Sequence, residues 1–368
     1  MLLDVPQPGD VPQPGLAVLI ITSKFDPHAD SVIGVLRARD VPVFRLNTDD
    51  FHSEISIGAD DHGAIALADR WGHALAFPAG ARSVWYRKPV DPAPPEAVTD
   101  DGAIALITGE TRELLDSLSG DRRVRWVNNP HDNALARRKL GQLRLAHDLG
   151  LRVPRTVITN DPARARAFQA AIGGPLVCKA LKEVGYAEGE DWRSLFARVV
   201  AADEFAAHAE AVALCPTLFQ EYIEKDHELR VTFIGEAVFC CRIDSQAVEA
   251  AQVDWRRVAP EQVPQRIVPL DPAVEAALRA MLAAYGLVFG AFDLIVTPEG
   301  AHVFLELNPN GQWLWVERTT GAAMSAAMSS RAGAATAAAG PSAATPAAHT
   351  SASARAGVRR SAASADTP

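Results

Sequence analysis

The sequence lacks most of the short motifs that announce a reaction class. It contains no G-x-x-x-x-G-K-[ST] loop, which excludes a P-loop nucleotide site, and no H-E-x-x-H zinc pair. No Ser/His/Asp order suggests an acyl-transfer triad. Long apolar runs are missing too: nothing approaches the roughly 18 consecutive apolar residues of a membrane span. The opening MLLDVPQPGDVPQPG has neither a basic n-region nor a continuous apolar core, so it does not read as a signal peptide. Cysteine is sparse. Cys178, Cys215, Cys240 and Cys241 form no C-x-x-C pair and lie in apolar stretches, as expected of buried, reduced thiols in a cytoplasmic protein. Basic charge is in deficit, 36 Lys and Arg against 45 Asp and Glu, which argues against non-specific nucleic-acid binding.

What is present is globular material. With 368 residues, 48% of them hydrophobic, two or three domains are expected. VPQPG occurs twice within residues 1–15, an extended leader without a core. From residue 16 to 125, strand and helix signals alternate (AVLII, a helix over 28–39, PVFRL, SVWYR, a helix over 101–119), predicting an α/β domain. A second block, 126–215, opens on WVNNP, where an asparagine can cap a helix over 131–149 that stops at Gly150. It continues through strand RTVI, a helix begun by Asn160-Asp161-Pro162, and strand LVCKA. A third block, 216–318, carries strands at 217–223, 228–234, 236–243, 288–296 and 302–307, with a helix over 272–285.

Composition changes abruptly at residue 319. The last fifty residues hold 20 alanines and no Leu, Ile, Phe, Tyr or Trp. Such a segment cannot bury enough apolar surface to offset its chain entropy, so disorder is predicted over 319–368. A slip of reading frame in GC-rich coding sequence would produce a tail of this kind.

The residues that suggest chemistry interrupt apolar strands. GAFDLIVTPEGAHVFLELNPNG reads as a hairpin, with Asp293 on one strand and Glu306 and Asn308 on the other. Side chains two apart on a strand share a face, so Glu306 and Asn308 point together, and pairing across Pro298-Glu299-Gly300 brings Asp293 to them. Two carboxylates and an amide offer the hard oxygen ligands that suit Mg²⁺ on phosphates. A solvated strand face is the plain alternative. Lys179 interrupts PLVCKA, which is costly unless its ammonium meets an anion or points to water at an edge. Arg230 and Arg242 sit on neighbouring strands, either as a clamp for phosphoryl oxygens or as surface ion pairs. Taken together these are the parts of phosphoryl transfer by positioning and charge neutralisation.

Lys179 on its strand, QEYIE, ELRVTFIG, FDLIV and FLELNPNGQW resemble the ATP-grasp fold. FLELNPNGQWLW, with SVWYRKP and IDSQ…VDWRR, resembles more narrowly the ATP-grasp ligases that mature ribosomal peptides into ω-ester or ω-amide crosslinked graspetides, the microviridin type. The likeness spans about residues 16–317. It implies an N-terminal α/β domain followed by two α+β lobes that grip ATP. It implies that Lys139 and Lys179 contact the phosphates, that Gln220, Glu221, Tyr222 and Ile223 edge the adenine, and that Lys225 or Asp226 holds the ribose. Asp293, Glu306 and Asn308 match the magnesium ligands, two ions in number with Mn²⁺ as an alternative, and Arg230 and Arg242 match the catalytic arginines. The implied partner is a precursor peptide, leader plus core, with no nucleic acid or membrane, and with a homodimer as one assembly. The implied reaction passes through an acyl phosphate to a lactone or lactam. Other readings are an amino-acid ligase acting on a protein terminus or small acid, and an inactive peptide-binding relative. Two departures stand out: ALKEVGYAEGED is glycine-poor for a phosphate lid, and the family's helix after Glu317 is missing from the pattern. Arg87 and Lys88 of SVWYRKP are read as facing an acidic leader, or as ending a capped strand.

Overall fold

The computed structural model describes residues 16–182, 185–188, 191–194 and 197–334. The N-terminal part is built on a parallel sheet ordered Val43–Asn47, Ala17–Thr22, Ala81–Tyr86, Trp126–Val127. Strand Ala17–Thr22 is apolar up to its last residue because both of its faces are covered. Val18 and Ile20 face helix Pro27–Arg37, while Leu19 and Ile21 face a three-stranded antiparallel sheet, Ile55–Ala59, Ile65–Asp69, Ala74–Phe77. Helix Pro27–Arg37 starts where it does because Asp26 accepts from the His28 and Ala29 amides and Pro27 needs no donor partner.

Two antiparallel sheets follow. One is ordered Arg198–Val200, Leu176–Lys179, Thr217–Glu221, Thr156–Thr159; the other Gln265–Ile267, Ala237–Ile243, His227–Ile234, Phe289–Val296, His302–Asn308. The second sheet shows how sequence period becomes a site. Leu229, Val231 and Phe233, with Phe292, Leu294 and Val296, pack in one core cluster with residues of helices Lys139–Asp148 and Pro272–Ala284. The residues between them, Glu228, Arg230 and Asp293, line a cleft. In strand His302–Asn308 the pairing shifts: Asp293 lies opposite Glu306, but Leu294 lies opposite Phe304. Leu305 is the extra residue of a bulge. This bulge lets Phe304 and Leu307 both enter the core while Glu306 stays with Asp293 on the cleft side.

Two expectations are corrected here. The helix over 131–149 is two helices, Pro130–Ala136 and Lys139–Asp148, because Arg138 is extended and the Gln142 side chain donates to the Ala136 carbonyl at the break. Disorder does not begin at residue 319. Helix Leu314–Thr320 ends on Gly321, and a further helix, Met324–Gly333, packs on the parallel sheet with Met324, Met328 and Ala332 fully buried. Ser83 and Arg82 donate to the Ala332 and Gly333 carbonyls, and Glu317 accepts from Ser325 at the other end. Two methionines and small Ser and Ala residues suffice for a helix that fills a gap over a sheet rather than making its own core. The chain therefore has helical structure after Glu317. The leader 1–15 and the tail from 335 lie outside the described residues, as do 183–184, 189–190 and 195–196 in the lid stretch.

Candidate active site

The cleft lies between the two antiparallel sheets and encloses about 1150 Å³, part of it open to solvent. Its apolar wall includes Val177, Val199, Ile295 and Leu305; Gln220, Glu221, Tyr222 and Ile223 run along one edge. Gln220 is buried and donates to Thr156 Oγ1 at 3.0 Å. One oxygen of Glu221 accepts from the Arg155 amide at 2.9 Å, which fixes the start of the edge segment.

At the other end the charges converge. Lys139 Nζ donates to Glu306 Oε2 at 2.5 Å, and Arg230 Nη1 to Asp293 Oδ1 at 2.6 Å. Asn308 Nδ2 lies 3.3 Å from Asp293 Oδ2 and 3.4 Å from Glu306 Oε1, so the three predicted metal ligands are one cluster. Arg256 is held by Asp254 through two hydrogen bonds of 2.9 and 2.8 Å and brings Nη1 to 3.9 Å from Glu306. Burial alone would raise the Glu306 carboxyl, but Lys139 and Lys179 outweigh it and hold it at about 2. Asp293 shifts the other way: burial raises it, Arg230 opposes, and the Glu306 charge adds to the rise. Burial pulls the Lys179 ammonium below its ordinary value, with Glu306 partly offsetting. Facing carboxylates and desolvated lysines of this kind mark sites that handle charge.

The lining carries six basic and five acidic side chains, in a chain with nine more acids than bases overall. A local positive balance, two carboxylates with an amide, and an apolar slot together suit a divalent cation and a polyphosphate bearing a flat apolar base. Among the described residues no group of three His, Cys, Asp or Glu could hold a metal. Nor is any described helix long and apolar enough to cross a membrane.

No protein-family model matches the chain, and neither does any curated protein. Solved structures do match. A RiPP-associated ATP-grasp ligase from Chryseobacterium gregarium, solved with ADP and a leader and core peptide, is similar at a TM-score of 0.78 and 26% identity, over 86% of this chain and 96% of that one. Macrocyclase MdnC from Microcystis aeruginosa, bound with precursor peptide MdnA, gives 0.75 and 25%, and MdnB gives 0.69 and 28%, each over 86% of this chain and 98% of theirs. The chain has the ATP-grasp fold of these ligases.

Within this ATP-grasp ligase, ten of the thirteen sequence-predicted residues line the cleft: Lys139, Lys179, Gln220, Glu221, Tyr222, Ile223, Lys225, Arg230, Asp293 and Glu306. Asn308 adjoins them through its two hydrogen bonds. Arg242 and Asp226 do not join the lining. Arg242 bonds Asp244 at 2.5 Å and Asp226 at 3.3 Å, and Asp226 also accepts from His227, so their charges are used on each other. Lys225 is likewise engaged, by Glu228 at 2.6 Å and the Val253 carbonyl. Sequence reading missed Arg256, Asp254, Glu228 and Lys182, all on the lining. VDWRR was noticed only as a motif; an acid two residues before an arginine was the available signal for a pre-set guanidinium. The cysteines need correction as well. All four are free, but only Cys240 and Cys241 are buried, their thiols pushed up to about 12 by burial; Cys215 is exposed. Arg87 does not face outward toward a leader. It is 1% exposed and bonded to the loop after Asn308.

Proposed function

We propose that the chain is an ATP-dependent ligase that forms ω-ester or ω-amide crosslinks within a ribosomally made precursor peptide. The observation that carries this reading is the meeting, in one cleft, of Asp293 opposite Glu306 with Asn308, Lys139, Lys179, Arg230 and Arg256, beside an apolar slot edged by Glu221–Ile223. The leader, core and precursor peptides bound in the similar structures support the choice of substrate.

The slot takes the adenine, with the Glu221–Ile223 segment along its edge and Gln220 behind it. Lys225, locked by Glu228, shapes the wall nearby. Lys139 and Lys179 neutralise the polyphosphate. Asp293, Glu306 and Asn308 would hold magnesium, which when bound neutralises phosphoryl oxygens. A peptide Asp or Glu carboxylate attacks the γ-phosphorus, the bond to the ADP oxygen breaks, and an acyl phosphate forms. A Ser or Thr hydroxyl or Lys amine of the same peptide then attacks the acyl carbon; phosphate leaves and the nucleophile loses its proton. Arg230 and Arg256 stand where the developing anion needs fixed donors. In this arrangement Arg256 takes the part the sequence assigned to Arg242. ATP and four unpaired cysteines point to a cytoplasmic setting.

The test uses a precursor peptide, leader plus core, encoded by a short open reading frame sought beside this gene. That peptide, incubated with the enzyme, ATP and Mg²⁺, should lose the mass of one water per ring while ADP is released. An unchanged peptide mass, with ATP turnover on a free amino acid instead, overturns the reading. Glu306→Gln should abolish ring formation while far-UV circular dichroism stays unchanged; retained activity refutes the magnesium assignment.

A further inference from the structure

The loop Pro309–Gln312 follows Asn308 directly, and its four backbone carbonyls are each claimed by a side chain. Asn128 Nδ2 donates to Pro309 O at 2.9 Å. Arg87 Nη1 donates to Asn310 O at 2.8 Å and to Gly311 O at 3.2 Å, and reaches Asn310 Oδ1 at 3.1 Å. Arg230 Nη2 lies 3.4 Å from Gln312 O. Beyond the loop, His28 Nε2 accepts from the amides of Trp313 and Leu314, both at 3.1 Å. His28 therefore carries its proton on Nδ1, 3.3 Å from Asp26 Oδ1. Asp26 Oδ2 lies 3.3 Å from Arg87 Nε, and the Arg87 guanidinium lies 5.2 Å from the Trp313 ring. A Cβ on Gly311 would meet the Ala291 Cβ at 2.5 Å, so the loop sits against the strand that carries Asp293 with no room to spare.

Burying a guanidinium and a carboxylate is expensive, and an apolar pair of the same volume would pack at no such cost. What an apolar pair cannot do is donate to the loop: Arg87 Nη1 reaches three of its acceptors while Nε of the same guanidinium lies beside Asp26. We infer that Arg87, oriented by Asp26 and joined by His28, is a positioning residue for the cleft: it sets the loop that fixes Asn308 on one side and the Gln312 carbonyl against Arg230 on the other. This rests on the proposed metal role of Asn308 and Glu306. It places the control of cleft geometry in the N-terminal parallel sheet, whose strand Ala81–Tyr86 ends immediately before Arg87. Displacements near 1 Å at such a remove can cost about 10²-fold in rate.

The experiment titrates Mn²⁺, a paramagnetic probe, into the ADP complex of the full chain and reads free ion by electron paramagnetic resonance. Arg87→Lys keeps the charge but cannot set one nitrogen on the loop and a second beside Asp26; Asn310→Ala leaves Arg87 in place, removes one loop acceptor and its donor to the Tyr86 carbonyl, and guards against misfolding of the first variant. Both should weaken Mn²⁺ about tenfold, while ADP affinity measured without metal changes less than twofold. Wild-type Mn²⁺ affinity in both variants overturns the inference. Equal weakening of ADP and Mn²⁺ overturns it too, because that is general loosening. Glu306→Gln separates the levels: if it also binds Mn²⁺ normally, the metal reading has failed and this inference with it; if it loses Mn²⁺ while Arg87→Lys does not, only this inference is lost.

Discussion

Two arginine–aspartate pairs grip the same loop from opposite sides. Arg230 with Asp293 faces the cleft, and the Asp293 side chain keeps 19% exposure. Arg87 with Asp26 is sealed, at 1% and 8%. Residue types and burial of the arginines are similar, yet the surroundings differ. Burial and the facing Glu306 push the Asp293 carboxyl up against the opposing charges of Arg230 and Arg256, and its pairing with Arg230 is one of several available. Asp26 accepts from Thr22, His28 and Ala29 in addition to facing Arg87; burial works against its charge, but these partners hold its carboxyl down at about 2. A pair with alternatives can exchange partners with a ligand, whereas a pair without them is an anchor.

Substitutions at the two arginines should separate chemistry from stability. Arg230→Met is expected to lower ring formation at least about 100-fold, the scale of removing one fixed donor to a developing anion. Its thermal midpoint should move by less than about 5 °C, since Asp293 can take up a proton; calorimetry showing a larger fall would make Arg230 an anchor as well. Arg87→Met strands a sealed carboxylate, at about 3–5 kcal/mol, and should lower the midpoint by roughly 10 °C. An unmoved midpoint there would erase the distinction.

His28 gives a smaller, pH-dependent effect. Burial holds its pKa below the ordinary value, with Asp26 opposing and Arg87 and Lys88 adding to the fall. A neutral His28 therefore contributes stability that is complete above the unfolded value near 6.5 and fades as pH falls toward the lower folded value. Denaturant titrations between pH 7.5 and 5.5 should show a steeper loss in wild type than in His28→Phe; parallel curves would mean the ring is not a titrating acceptor. Last and smallest, Arg242→Ala should change ring formation by less than about threefold, because its charge is used on Asp226 and Asp244. A hundredfold loss would restore the sequence-based assignment and displace Arg256.

Much of this was legible in the chain. The antiparallel strands are apolar runs bounded by Pro, Gly and Asp turns, and Asp293, Glu306, Lys179 and Arg230 are visible because each breaks such a run. Arg242 breaks one too and misleads, because a lone strand arginine announces an anionic partner without saying whether that partner is a ligand or a neighbouring aspartate. Arg256 was hidden for the opposite reason: it sits in a short turn, Trp255–Arg257, outside any strand and beside a second arginine, with only Asp254 to mark it. The Leu305 bulge has no side-chain signature, since leucine is ordinary on a strand. The final helix was lost by averaging: ten residues with two methionines were diluted by the alanine-rich stretch that follows.

That helix has a consequence for biosynthesis. Strands Ala17–Thr22 and Ala81–Tyr86 are made early, but the residues that cover one of their faces, Met324, Met328 and Ala332, are among the last described. A chain emerging at about 5–20 residues per second carries this face covered only in part, by helix Pro27–Arg37, for many seconds before the rest of its cover exists. The nascent N-terminal half is thus a natural client for chaperones, and a stop codon placed just before Met324 would leave the catalytic cleft's own residues intact while exposing a sticky surface elsewhere.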